Sequence, residues 1–146
     1  MSFNDEQKIR VIFIIEILGR PPEHLTETLE EVIKKLGEEK GVKIIEKTVN
    51  EPQQLEQEKE FYTNFAEVEF EVDEIITLSG LVFRYMPAHI EILSPQKINL
   101  TNNELNTILN ELTRKLHSYD EVARVLQTEK AILEKKLRDL IEKKEE

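Results

Sequence analysis

Cysteine and tryptophan are both absent from this chain of 146 residues, and glycine and proline are scarce, with four and five copies. The lack of cysteine excludes disulfide bonds and thiolate metal sites, and it fits a reducing compartment. No uninterrupted apolar segment approaches the roughly 20 residues of a membrane-spanning helix. The first ten residues, MSFNDEQKIR, are mostly polar and include two carboxylates, unlike a secretory signal. We therefore expect a cytoplasmic protein without a membrane partner.

Positive charge is also in short supply. The chain has 20 Lys and Arg residues against 30 Asp and Glu residues, which gives a net charge of −10. Nucleic acids are bound through clustered Lys and Arg, and an acidic surface repels their phosphates. The lysine pairs at 34–35, 135–136 and 143–144 each have glutamates nearby. Nucleic acid is therefore not an expected partner.

The hydrophobic pattern predicts a strand and then an amphipathic helix at the start of the chain. Residues 8–18, KIRVIFIIEIL, are rich in β-branched residues and apolar on both faces, which predicts a strand buried on both sides, or on one side with an interface on the other. Pro21 and Pro22 suit the first turn of a helix. Gly37 is a plausible end for that helix.

Four more elements follow before residue 100. Strands are predicted at 41–49, 61–72 and 88–93, with a polar connector, NEPQQLEQEKE, between the first two. A short helix is predicted over DEIITLSGLVFRYM, with Asp73 as its N-terminal cap. The order β-α-β-β-α-β predicts an α+β, ferredoxin-like antiparallel sheet with both helices on one face.

The strand over residues 61–72 alternates between apolar and acidic side chains, so one face is buried and the other is polar. The same element order underlies the RNA-recognition motif, which stacks bases on aromatic residues of its third strand. Glu67 stands where that motif needs an aromatic ring. This substitution also argues against RNA.

From residue 101 onward the pattern changes to heptads, which predicts a C-terminal helical extension over 101–146 after a domain over 1–100. Thr101 and Glu104 form a candidate capping box at its start. Lys130 occupies an a position, as in coiled coils that trade stability for register. One apolar series is spaced by seven, with a second series four residues behind it: Leu105, Leu112, Tyr119, Leu126, Leu133 and Leu140, then Leu109, Leu116, Ala123, Lys130 and Leu137.

The extension has two interpretations. A second capping box, SYDE at residues 118–121, would start a new helix at Ser118, and the resulting hairpin would fold back on its own core. Against this, the heptad phase continues through Ser118, and neither Gly nor Pro interrupts it. We favour one continuous helix, whose distal half then needs a partner.

Two clusters are candidates for chemistry. Glu67, Glu69, His89 and Glu91 are predicted on the polar sheet face, and carboxylates with imidazole can bind a divalent metal or act as acid and base. Alternating carboxylates on a strand are more often a solvated face, however, and no nucleophile motif or triad accompanies them. We therefore expect no enzyme and no cofactor, and the metal site remains an alternative.

The turn LGRPPEH is the second candidate. A helix N-terminus with Arg20 beside Gly19 can hold a carboxylate or phosphate through backbone N–H groups. Pro21 and Pro22 remove two of those donors, so a plain strand-to-helix turn is the competing interpretation.

The segment IRVIFIIEILGRPPEHLTETLEEVIKKLGEEKGVKIIEK resembles the first half of an ACT-like regulatory domain. This resemblance implies a ferredoxin-like module that pairs through its sheet and binds amino acids near the first turn, at Gly19. The Pro21-Pro22 pair departs from the usual pattern of that family. The segment YMPAHIEILSP also resembles a family of uncharacterised archaeal proteins.

The sequence therefore predicts a non-enzymatic interaction or regulatory protein that forms a homo-oligomer, first of all a dimer, through its sheet domain and its C-terminal helix. A different protein partner of that helix is also possible. The residues expected at the interface are Leu126, Leu133, Leu137 and Leu140. The alternatives are a small-molecule or anion sensor at Gly19 and Arg20, and a metal-dependent enzyme.

Overall fold

The computed structural model describes residues 8–145 and confirms the α+β, ferredoxin-like order with a long C-terminal helix. The sequence pattern missed one element, a two-residue strand inside the polar connector. In chain order the elements are β1 (Ile9–Gly19), α1 (Pro22–Glu38), β2 (Val42–Val49), β3 (Gln53–Gln54), β4 (Tyr62–Val72), α2 (Ile75–Tyr85), β5 (His89–Ser94) and α3 (Asn102–Glu145).

The main strands form an antiparallel sheet in the order β2-β4-β1-β5, and β3 extends it by pairing with the first residues of β4. β1 and β4 pair along their whole lengths, from Ile9 opposite Val72 to Gly19 opposite Tyr62. β4 therefore lies between β1 and β2, which are joined through α1. This is the split β-α-β arrangement of ferredoxin-like folds.

The core lies between one face of the sheet and the two helices α1 and α2. Alternate residues of β1 and β4 point into it because side chains of a strand alternate between its faces. Phe13 and Phe70 meet edge to face, with 4.8 Å between ring centroids. The buried apolar residues are Ile9, Val11, Phe13, Ile15, Leu25, Leu29, Ile33, Leu36, Ala66, Val68, Phe70, Val72, Leu78 and Leu81.

The other face of the sheet, called the outer face here, is less covered. On β1 it carries Arg10, Ile12, Ile14 and Glu16, of which the two isoleucines are half-buried. Of the two predictions for β1, burial on both sides is wrong, because one face is buried and the other face is only partly buried.

The helix ends differ in detail from the predictions. α1 begins at Pro22, as expected, but extends through Gly37 to Glu38, and the turn that follows uses Gly41 at a φ of 81°. A Cβ on Gly41 would lie 3.3 Å from Oδ2 of Asp73. The prediction that Asp73 caps α2 is wrong: the N-cap residue is Glu74, and no side chain bonds to that helix end.

α3 is one uninterrupted helix of 44 residues. Its start is the predicted capping box, since the Glu104 N–H donates to Thr101 Oγ1 at 3.1 Å and the Thr101 N–H donates to Glu104 Oε1 at 3.4 Å. Ser118 starts no second helix, so the hairpin interpretation is wrong. At about 1.5 Å per residue, α3 is about 66 Å long. Between Asn102 and Glu145 no residue is buried.

The chain divides into two compact units between Glu104 and Leu105. The first unit contains the sheet, α1, α2 and the first turn of α3, and the second contains the rest of α3. Across residues 8–145, no helix has both the length and the apolar character needed to cross a bilayer.

Candidate functional site

The largest exposed apolar feature of the second unit is a stripe along α3. Its distal part, called the distal seam here, consists of Leu126, Leu133, Leu137 and Leu140, which are between 57% and 65% exposed. These leucines share one side of the helix because residues three, four and seven apart lie within roughly 60° of one another around its axis. Contiguous exposed apolar surface of this kind marks a site of protein contact.

The stripe also extends toward the start of α3. Leucines at the same heptad positions continue it, and every one of them is exposed: Leu105, Leu109, Leu112 and Leu116, followed by Tyr119. Four further exposed apolar residues lie outside the a and d positions: Val125 and Ile132 at c, Val122 at g and Ile141 at e. The helix therefore presents one continuous apolar side and a second, short apolar patch.

Charged residues border the distal seam. Lys130 Nζ lies 3.9 Å from Glu134 Oε1 of the same helix. A shallow groove of about 330 Å³ is lined by Leu126, Glu129, Lys130, Leu133, Glu134 and Leu137. Glu129 and Glu134 border the seam, while Lys130 lies within it at an a position, as in coiled coils with one polar core residue.

The predicted anion site at Gly19 and Arg20 is already partly occupied by the protein itself. Arg20 Nη1 is 2.8 Å from Glu60 Oε2, and the guanidinium carbon lies 5.3 Å from the centre of the Phe61 ring. A Cβ on Gly19 would lie 3.3 Å from Leu25 Cδ2, so a larger residue at this position would crowd the Leu25 side chain.

Few backbone donors are available at the same helix start. Pro21 is the N-cap residue of α1 and Pro22 is its first residue, so neither offers an N–H group. The N–H of His24 donates to the Pro21 carbonyl at 3.1 Å. The first turn also carries Glu23, which repels an anion.

A groove beside this turn was not found from the sequence. It has a volume of about 550 Å³ and is lined by Leu18 at the end of β1 and by connector residues Leu55, Glu56, Gln57, Glu58 and Phe61. The signal that could have revealed it is Leu55, an isolated apolar residue within a polar segment. The Arg20 guanidinium lies over the ring of Phe61, which also lines this groove, so the groove and Arg20 are adjacent.

The acidic outer face does not bring its four predicted ligands together. Glu67 pairs with Ile14 of β1, which in turn pairs with His89 of β5. Glu69 and Glu91 are separated in the same way by Ile12. Two strand spacings amount to about 10 Å, and an isoleucine side chain of β1 stands between the members of each pair. Among residues 8–145, no group of three His, Asp or Glu side chains is arranged for metal binding.

Glu46 joins Glu67 and Glu69 on this face, which the sequence did not indicate. A register irregularity between Ile44 and Glu46 shifts the alternation of β2, so Glu46 comes opposite Glu69. A shallow pocket of about 140 Å³ is lined by Ile12, Glu46, Thr48, Glu67 and Glu69. Its carboxylates are consistent with a solvated face, and Arg10 lies 3.7 Å from Glu71 on the same side of the sheet.

A polar cluster links the ends of α1 and α2. Tyr85 Oη donates to Glu39 Oε1 at 3.0 Å, and Arg84 Nη2 donates to Glu39 Oε2 at 3.1 Å. Burial, followed by the hydrogen bond to Glu39 and its negative charge, raises the pKa of Tyr85 to about 12. Such a phenol stays protonated at neutral pH, and the cluster fastens the two helices together.

Comparison with known proteins places the chain beside an archaeal sequence. The profile of the MJ0538 family matches residues 10–145. The chain is 29% identical over 101 residues to "Uncharacterized protein MJ0538" of Methanocaldococcus jannaschii, an alignment that covers 69% of this chain and 38% of that relative. The resemblance to uncharacterised archaeal proteins is thereby confirmed. No solved structure matches the chain.

Proposed function

The chain belongs to the MJ0538 family, and because that family name assigns no activity, we propose from the structure that this is a non-enzymatic interaction or regulatory protein that self-associates through α3. The observation that carries the proposal is the distal seam. It is an apolar stripe on a 44-residue helix without a single buried residue. In aqueous solution an apolar stripe with this spacing is buried by pairing with another helix. A second copy of the chain can always supply that helix.

The energetics are compatible with a dimer. Burying one leucine side chain contributes about 1.5–3 kcal/mol, and a symmetric pair brings eight leucines from two distal seams. Association costs roughly 4–15 kcal/mol in lost freedom of motion. Because these leucines are 57–65% exposed on a single helix, pairing gains part of that energy, which offsets a large share of the cost.

The sheet domain offers a second surface. β5 is an edge strand, so one row of its backbone N–H and C=O groups lacks a strand partner in the sheet. Its residues Ile90 and Ile92 are 39% and 42% exposed. This edge is the surface through which the sheet domain would self-associate if α3 did not hold the copies together.

The test is the double substitution Leu133→Asp with Leu137→Asp in the full chain. Each aspartate would bring an unpaired carboxylate into the interface, so we expect the mass from size-exclusion chromatography with light scattering to fall from dimer to monomer. Circular dichroism should still show the folded sheet domain.

The matched control is Val125→Asp with Ile132→Asp, which also introduces two aspartates into α3 but at c positions, outside the seam. This control should remain dimeric. A monomeric wild-type protein, or equal masses for the wild type and the seam variant, would contradict self-association through α3.

A second candidate is a small-molecule sensor at Gly19 and Arg20, favoured by the groove of about 550 Å³ beside them. A carboxylate ligand would have to displace Glu60 from Arg20. Thermal-shift measurements with free amino acids and inorganic phosphate should then show stabilisation that disappears in Arg20→Ala. No shift with any of these ligands would leave this candidate without support.

A further inference from the structure

The charges of the chain are unevenly divided. Residues 1–104 contain 11 Lys and Arg against 21 Asp and Glu, while residues 105–146 contain nine of each. The whole net charge of −10 therefore belongs to the segment that precedes most of α3, and the helix itself is neutral. A parallel pair of α3 helices would place two first turns, each attached to a strongly acidic domain, side by side. An antiparallel pair would separate them by far more than the screening length of about 8 Å.

A parallel pair is also unfavourable within the helix. In the heptad frame Glu129 occupies g and Glu134 occupies e, so these carboxylates of opposite copies would face each other. Lys130 occupies an a position and would meet Lys130 of the second copy across the core. Only Lys115 and Asp120 would attract across a parallel pair.

An antiparallel pair places a positions of one copy against d positions of the other. One alignment sets Lys130 against Leu133 of the second copy, and it also sets Leu126 against Leu137 and Ala123 against Leu140. Its two-fold axis passes between Ala131 and Ile132. Here g positions face g positions, so Glu129 lies near Lys136 of the second copy.

Neighbouring alignments are less favourable. Moving the axis by half a heptad toward the start of α3 brings Glu129 opposite Glu129 and Asp120 opposite Glu134. Moving it the other way brings Glu134 opposite Glu134 and Lys136 opposite Lys136. Like charges at such positions destabilise helix pairs. The alignment centred between Ala131 and Ile132 avoids all of these contacts.

We infer that α3 pairs with a second copy of this chain in the antiparallel direction, with the two-fold axis between Ala131 and Ile132. This inference rests on the proposed self-association. Residues 118–145 overlap in the pair, which covers the distal seam and Tyr119 and separates the first turns of the two α3 helices. The leucines between Leu105 and Leu116 lie outside the overlap.

Dipolar electron paramagnetic resonance on the full chain tests the direction. The chain has no cysteine, so Arg114→Cys and Lys135→Cys each provide one spin-label site, both at f positions away from the seam. In the antiparallel pair the labelled residues are separated along the axis by about 50 Å at 114 and about 10 Å at 135, at about 1.5 Å per residue. A parallel pair gives the same distance at both sites.

Unequal distances that shorten toward residues 131 and 132 support the inference. Equal distances, or a mass other than that of a dimer, overturn it. A monomeric mass with no dipolar signal refutes the proposed self-association itself, so the two failures are distinguishable.

Charge reversal gives an independent test. In the antiparallel pair, Lys136→Glu places a second carboxylate beside Glu129 of the other copy. In a parallel pair, residue 136 faces Ile141 instead, so the same substitution creates no repulsion. We expect it to raise the dissociation constant of the dimer on the order of tenfold, because two symmetric pairs change sign. Adding Glu129→Lys should restore the affinity. Glu129→Lys alone weakens an antiparallel dimer but strengthens a parallel one, so a strengthened dimer would overturn the inference.

Discussion

At the scale of single residues, Asn64 is the most constrained polar group of the core. It is fully buried, its Nδ2 donates to Thr26 Oγ1 at 3.3 Å, and its Oδ1 accepts no hydrogen bond from any described residue. A buried carbonyl oxygen without a partner costs about 1–3 kcal/mol. Alternation along β4 places residue 64 on the buried face, but the unpaired oxygen depends on which side chain α1 places next to it.

The first prediction concerns this site. Asn64→Val removes the unpaired oxygen together with one long hydrogen bond, so the free energy of unfolding should change by about 1 kcal/mol or less. Asn64→Asp instead buries a charge and should lower it by about 3 kcal/mol or more at pH 7. Urea denaturation of both variants measures the difference, and equal stabilities would contradict this description of the site.

The second prediction concerns Tyr85, whose pKa is raised from 10.0 to about 12. The folded state holds the phenolic proton more tightly than the unfolded state does. The resulting stability is fully present below pH 10 and is lost as pH rises from 10 toward 12. Urea denaturation should therefore show the advantage of the wild type over Tyr85→Phe shrinking across that range. An advantage that stays constant there would argue against the raised pKa.

At the scale of elements, the sequence predicted the helices and strands well because their signals are local. The alternation in β4 and the stripe of α1 each reflect one face turned toward the core. The continuity of α3 follows from an unbroken heptad phase and from a capping box at Thr101. One error lies at an element end: Asp73 has the residue type of an N-cap, but in the fold it faces Gly41. The missed strand β3 has only two residues, too few for an alternating pattern.

The third prediction tests the start of α3. Thr101→Ala removes the oxygen that accepts from the Glu104 N–H, and an N-cap residue contributes about 1 kcal/mol. We expect faster amide hydrogen exchange over the first turn, near Glu104, while the exchange of β1 and β4 is unchanged. Thr101→Ser keeps the accepting oxygen and should exchange like the wild type. Similar protection in the Ala variant would mean that the cap is not needed there.

At the scale of the whole molecule, the two units differ in what supports them. The unit that ends at Glu104 contains every buried apolar residue of the described chain, whereas α3 contains none. A helix within a protein owes most of its stability to the packing of its apolar face against other elements. The distal part of α3 should therefore depend on association, and the sheet should not.

The fourth prediction follows from that difference. A chain that lacks residues 118–146 should have a monomeric mass by light scattering, since it has lost the distal seam. Its β1 and β4 amides should keep the protection against hydrogen exchange that they have in the full chain. A truncated chain that remains dimeric would shift the interface to the sheet domain, with the β5 edge as the first surface to examine.

The sequence by itself determined which residues share a face and where one long helix runs, because hydrophobic periodicity and capping act over a few neighbouring residues. Only the tertiary structure decided which side chains lie next to one another across the strands. β1 lies between β4 and β5 and so keeps Glu67 and Glu69 apart from His89 and Glu91. The pairing of Arg20 with Glu60, 40 residues away, arises in the same way. Such neighbours depend on the pairing of distant strands and on the path of the connector. Neither produces a periodic pattern of residues in the sequence.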